Sequence, residues 1–162
     1  MKYQQFLEIF DKKLNNYFES HKQHVCCREG CADCCKHGDY PMSQLEFEYV
    51  MQGYIDLEDD KKQVVQQNIK NIQKGGVCPF LYNNLCIIYP YRPIVCRVHG
   101  LAYTGIKNII LPFCTNNGKN YSTVFDNNKI LIKPITENLD TPSVLKDFDY
   151  GEIRTMYNWF KS

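Results

Sequence analysis

The chain has 162 residues, 19.1 kDa, 44% hydrophobic and 23% charged residues and a formal net charge of +1. That length suits one domain with a real core. The near-neutral charge argues against nucleic acid as a partner, and no apolar run is long enough to cross a bilayer. The opening MKYQQFLEIFDKK carries acids early and has no uninterrupted apolar stretch, so it does not read as a secretory signal. The expected setting is a cytoplasm that keeps thiols reduced.

Tyr3, Phe6, Leu7, Phe10, Leu14, Tyr17 and Phe18 recur at three- and four-residue steps, which predicts an amphipathic helix ending near His21 to His24. The run CCREGCADCC follows, with five of the nine cysteines in residues 26–35. After Pro41, Ser43-Gln44-Leu45-Glu46 has capping-box spacing and predicts a helix through about Met51. A third helix is expected over Leu57–Lys74, with Glu58, Asp59 and Asp60 in its first turn, a stripe of Val65, Ile69 and Ile72, and Gly75-Gly76 at its end.

In CPFLYNNLCIIY, Asn83-Asn84 stands between two short apolar runs and predicts a tight hairpin. Pro90 and Pro93 limit YPYRPIVCR to a turn and a short helical segment. The runs NIILPF and KILIKPI read as short strands. A last helix is expected from Thr141-Pro142, with Leu145, Phe148, Ile153, Tyr157 and Phe160 facing inward and Gly151 able to break it in two. The expected fold is therefore α+β: a mainly helical single domain over residues 1–162, with short β-hairpins and cysteine loops organised by metal.

Dense cysteines suggest disulfides in a small secreted chain, but metal or catalysis in the cytosol. Nine is an odd count, and neighbours such as Cys34 and Cys35 make poor disulfide partners. Metal is the better reading. Apart from Cys26, the cysteines form two sets of four in chain order: Cys27, Cys31, Cys34 and Cys35, then Cys78, Cys86, Cys96 and Cys114. Four is the coordination number of structural zinc and the usual thiolate count of an iron–sulfur cluster. Eight thiols permit two sites without requiring them. Adjacent side chains diverge, so Cys34 and Cys35 serve two centres, or two faces of one cluster, more easily than one small ion.

The run CREGCADCC followed by CPFLYNNLCIIYPYRPIVCR resembles the YkgJ-like cysteine-cluster family, described as a zinc- or iron-chelating domain. The matching positions are Cys27, Cys31, Cys34 and Cys35, then Cys78-Pro79-Phe80-Leu81, Cys86, Ile88-Tyr89, Arg92-Pro93 and Cys96-Arg97, with Cys114 as the late cysteine. The resemblance implies metal chelation by those eight cysteines. Some proteins with the motif are associated with methylation of flagellin lysines, but this chain has no glycine-rich cofactor loop and that activity is not carried over. Cys26 lies outside the pattern and reads as a small buried side chain.

His37 and His99 lie near ligand cysteines but read as surface or supporting groups. Arg92 and Arg97 read equally well as donors to thiolate sulfur and as ordinary ion pairs. Three classes of function compete: a metal-chelating structural or accessory domain, an iron–sulfur protein in electron transfer or assisting a modification enzyme such as a protein methylase, and a thiol enzyme. The C-x3-C-x2-C spacing also occurs in radical-SAM enzymes, but Asp33 stands where an aromatic usually precedes the third cysteine. A cysteine nucleophile would leave eight thiols unexplained. The sequence thus favours a non-enzymatic chelator of zinc, with iron or an iron–sulfur cluster as the alternative, and an unidentified protein partner.

Overall fold

The 3.6-residue apolar period at the amino terminus produces the longest helix, α1 (Tyr3–Ser20), which buries Leu7, Phe10 and Leu14. A computed structural model describes residues 1–127 and 129–161. After α1 come a short α2 (Asp33–Lys36), strand β1 (Pro41–Ser43), α3 (Gln44–Ile55) and α4 (Asp59–Lys70). Hairpin β2 (Leu81–Tyr82)–β3 (Leu85–Cys86) precedes a 3-10 turn at Tyr89–Tyr91 and α5 (Ile94–Val98). Hairpins β4 (Tyr103–Thr104)–β5 (Ile109–Ile110) and β6 (Phe125–Asp126)–β7 (Lys129–Ile130) flank 3-10 turns at Phe113–Asn117 and Ser122–Val124. α6 (Thr141–Val144), β8 (Ile153–Thr155) and α7 (Met156–Lys161) follow. The fold is α+β and mainly helical, and its named strands form antiparallel pairs.

The chain divides into two compact units, each built from two stretches of sequence. One joins Met1–Cys27 to Arg97–Asp140, and the other joins Arg28–Cys96 to Thr141–Ser162.

In the first unit, α1 presents its polar edge to partners far along the chain. Asp11 pairs with the nearly buried Arg97 at 2.6 Å, while Lys13 and Tyr17 both bind the Glu137 carboxylate. Ile135 joins Tyr103 in a parallel bridge, closed by Ile135 N–H to Ala102 O at 2.9 Å and Thr104 N–H to Ile135 O at 2.8 Å. The apolar runs NIILPF and KILIKPI yield only two-residue strands, Ile109–Ile110 and Lys129–Ile130. Pro112 and Pro134 follow closely and have no N–H to extend a ladder.

The second unit is centred on Met42, Val50, Val65, Phe80, Ile88 and Met156, all buried. Ser43 caps α3 as the spacing predicts: its side chain accepts from Glu46 N–H, and the Glu46 carboxylate reaches back to Ser43. Phe47 stacks on Trp159 with ring centroids 4.9 Å apart, and the indole N–H donates to Met42 O. Asp39 ties two distant segments, accepting from Gly75 N–H at 2.7 Å and from Tyr157 N–H at 2.8 Å.

One expectation is corrected here. The carboxyl-terminal helix stops at Val144, and Ile153 lies in β8, 40% exposed, rather than on an inward helical face. β8 pairs with β1, Pro41 opposite Thr155 and Ser43 opposite Ile153. Two causes act together. Gly151 has φ +69°, which keeps a helix from running through residue 151, and the first N–H groups of α3 have no intrahelical acceptor. Gln44 N–H binds Glu152 O and Leu45 N–H binds Tyr150 O, holding residues 150–152 against the start of α3.

Candidate metal centre

In the second unit, three segments present cysteines. Asn83 and Asn84 adopt φ +50° and +59°, the left-handed pair a two-residue I′ hairpin needs. The hairpin sets Leu81 opposite Cys86. Residues 78–80 and 86–88 then repeat one local design: Phe80 N–H points at the Cys78 sulfur, and Ile88 N–H at the Cys86 sulfur. Such donors favour ionised sulfur. Cys78 also donates its own N–H to Cys35 O at 2.9 Å, joining the hairpin to α2 and its Cys34-Cys35 pair.

That junction is tight. A Cβ on Gly38 would lie 2.5 Å from Cys78 Cβ and 2.8 Å from Cys35 O, so only glycine fits. Cys96 rides on α5, whose first N–H, from Ile94, is held at 2.7 Å by the buried Glu46 carboxylate. The capping box of α3 therefore also positions a cysteine.

Cys34, Cys78, Cys86 and Cys96 each lie within electrostatic reach of the other three. Cys34 is raised most by its hydrogen bond with the Cys35 thiol, then by burial. Burial pushes Cys78 up to about 12, Cys86 above its ordinary value and Cys96 well above it. Arg92 opposes this: its guanidinium lies 3.5 Å from the Tyr89 ring centroid and draws Cys86 and Cys96 toward ionisation. Of the two arginines, Arg92 acts on the thiols and Arg97 makes an ion pair with Asp11.

Cys27 and Cys114 belong to the first unit, and Cys31 to the second. Cys26, read from the sequence as a small buried side chain, is instead exposed, as is Cys27, while Cys114 is buried in the 3-10 turn at Phe113–Asn117. His37 is exposed at the end of α2. His99 is half-buried with its ring 5.4 Å from Phe113, and burial lowers its pKa. Among the described residues, no group of three or more His, Cys, Asp or Glu side chains is placed so as to hold a metal ion. The donor types are those a thiophilic ion prefers: soft sulfurs, with N–H groups aimed at two of them and a cation to offset charge.

A family model described as "CxxCxxCC: Putative zinc- or iron-chelating domain" matches residues 26–123, more than half of the chain. The chain belongs to this family. The CxxCxxCC stretch spans every cysteine and starts at Cys26, the one set aside on sequence. No curated protein and no solved structure matches the chain. Sequence reasoning missed Glu46 and Gly38 as positioning residues. Glu46 was legible only as half of a capping box, and nothing local marks Gly38 as a contact point.

Proposed function

We propose that this protein is a structural or accessory metal-chelating domain whose principal centre is formed by Cys34, Cys78, Cys86 and Cys96, with zinc as the ion. The observation that carries this reading is the set of four mutually interacting thiols, two of them receiving backbone N–H groups. Bound zinc would crosslink α2, the β2–β3 hairpin and α5, three segments with little regular structure to hold them. Four thiolates complete a tetrahedral shell and leave no open position for substrate, which favours a structural role over a catalytic one.

Metal analysis and an absorption spectrum of anaerobically purified protein test the reading. The expected result is colourless, zinc-containing protein that loses metal on Cys34→Ser, Cys78→Ser, Cys86→Ser or Cys96→Ser. Brown protein with stoichiometric iron and sulfide would replace zinc by an iron–sulfur cluster. Retention of a full complement by those four variants would refute the centre. Serine at Cys31 or Cys35 reports whether either thiol shares a site with the four.

A further inference from the structure

Four exposed aliphatic side chains of the first unit lie on or beside its two hairpins. Ile106 stands in the loop between β4 and β5, which is closed by Gly105 N–H to Asn108 O at 2.8 Å, and is 86% exposed. Leu131 follows β7, its N–H held by Val124 O at 2.7 Å, and is 67% exposed. Ile109 and Ile110 are neighbours in β5 and so point to opposite sides of the strand, yet each is 37% exposed. Both sides of β5 therefore reach solvent. Tyr103 pairs with Ile110 on one side and with Ile135 on the other, so β4 is the middle segment and β5 the edge. The stretch that carries Leu131 to Ile135 thus runs onto the same hydrogen-bonded scaffold as the β4–β5 hairpin.

Lysines accompany these side chains. Residues 106–133 hold Lys107, Lys119, Lys129 and Lys133 against one acid, Asp126, a net charge of +3 in a chain whose whole charge is +1. Lys107, Lys129 and Lys133 are exposed, and none pairs with a carboxylate among the described residues.

We propose that the two hairpins form a docking surface for an anionic lipid membrane. Ile106 and Leu131 enter the boundary between headgroups and acyl chains, and Lys107, Lys129 and Lys133 attract the headgroups. This goes beyond the chelating function proposed above and does not depend on it. Apolar residues set beside basic charge are the combination that holds peripheral proteins on an anionic bilayer. Two observations favour lipid over a partner protein. Two-residue strands offer too little edge for a partner strand to add to. Side chains as exposed as Ile106 and Leu131 project singly, whereas a stable protein interface needs about 800 Å² of matched surface on each partner. A fluid acyl boundary takes up single projecting side chains without such matching.

Co-sedimentation of the full chain with vesicles tests this, comparing phosphatidylcholine alone with equal parts of phosphatidylcholine and phosphatidylglycerol. The wild type should bind the anionic vesicles about a hundredfold more strongly, as three lysines at a charged surface allow. Salt at about 1 M, where the Debye length is about 3 Å, should remove most of that preference. So should Lys107→Ala, Lys129→Ala and Lys133→Ala combined. Ile106→Asp and Leu131→Asp should each weaken binding at least tenfold. All five positions are exposed, so these variants leave the core alone. Ile9→Asp, at a 56% exposed position of α1, is the control and should bind like the wild type. No binding to either vesicle, or equal binding to both, overturns the proposal. So does binding that survives Ile106→Asp and Leu131→Asp combined, or that Ile9→Asp weakens as much as they do. Metal content does not enter the readout, so failure here leaves the four-thiol centre untouched.

Discussion

Gly38→Ala tests how the two cysteine segments of the second unit are held together, without touching a sulfur. The new Cβ would sit 2.5 Å from Cys78 Cβ and 3.0 Å from Cys78 N. Carbon atoms normally meet at about 3.5–4.0 Å, so the segments must part by about 1 Å. The Cys78 N–H to Cys35 O bond is 2.9 Å long and does not survive such a displacement. Overpacking costs about 1–3 kcal/mol and the lost hydrogen bond about 1 kcal/mol, together about 2–4 kcal/mol. Against a typical net stability of about 5–15 kcal/mol this is a large fraction.

The single tryptophan, Trp159, stacks on Phe47 in the same unit and gives the fluorescence signal for urea unfolding. Gly38→Ala should lower the urea midpoint and weaken zinc binding at least tenfold, because a sulfur displaced by about 1 Å misses a zinc–sulfur distance of about 2.3 Å. Gly75→Ala is the control: its φ is +71°, but nothing lies within 4 Å of its Cβ position, so only backbone strain of about 1 kcal/mol is expected. If Gly38→Ala is no more harmful than Gly75→Ala and binds zinc like the wild type, the close approach does not position the centre.

Glu46→Ala removes the acceptor of Ser43 N–H, Ser43 Oγ–H and Ile94 N–H, each at 2.7 Å. It should destabilise the protein by about 2–5 kcal/mol, and in metal-free protein Cys96 should alkylate faster, measured by mass spectrometry. His21 has its pKa lowered, first by burial and then by His24, and its Nδ1 lies 2.8 Å from the Tyr121 hydroxyl. The folded state favours the neutral ring, so this contribution is full above the ordinary value of 6.5 and is lost as pH falls through the lower folded value. The urea midpoint should therefore fall between about pH 7 and pH 5, and His21→Gln should flatten that slope.

The sequence made some of this legible and hid the rest for physical reasons. α1, the Ser43 cap and the Asn83-Asn84 turn depend on neighbours within four residues, and each forms where the pattern predicts. β8 depends on Pro41–Ser43, more than a hundred residues earlier, so Ile153 reads locally as one more helical apolar position. The cysteines follow the same logic. Their number and types point to chelation, but chain order separates Cys34 from Cys78, whose thiols sense one another electrostatically in the fold.

The interleaved composition of the two units has a consequence for biosynthesis. Met1–Cys27 and Arg97–Asp140 are all synthesised before the second unit receives Thr141–Ser162, including the strand that pairs with Pro41–Ser43. At ~5–20 residues per second, the stretch between Cys96 and β8 takes several seconds to make. Throughout that interval the thiols from Cys34 to Cys96 belong to an unfinished unit on the ribosome. Early ion capture by those sulfurs would hold the nascent segment together before its last strand arrives, so metal supply during translation should govern the yield of correctly folded protein.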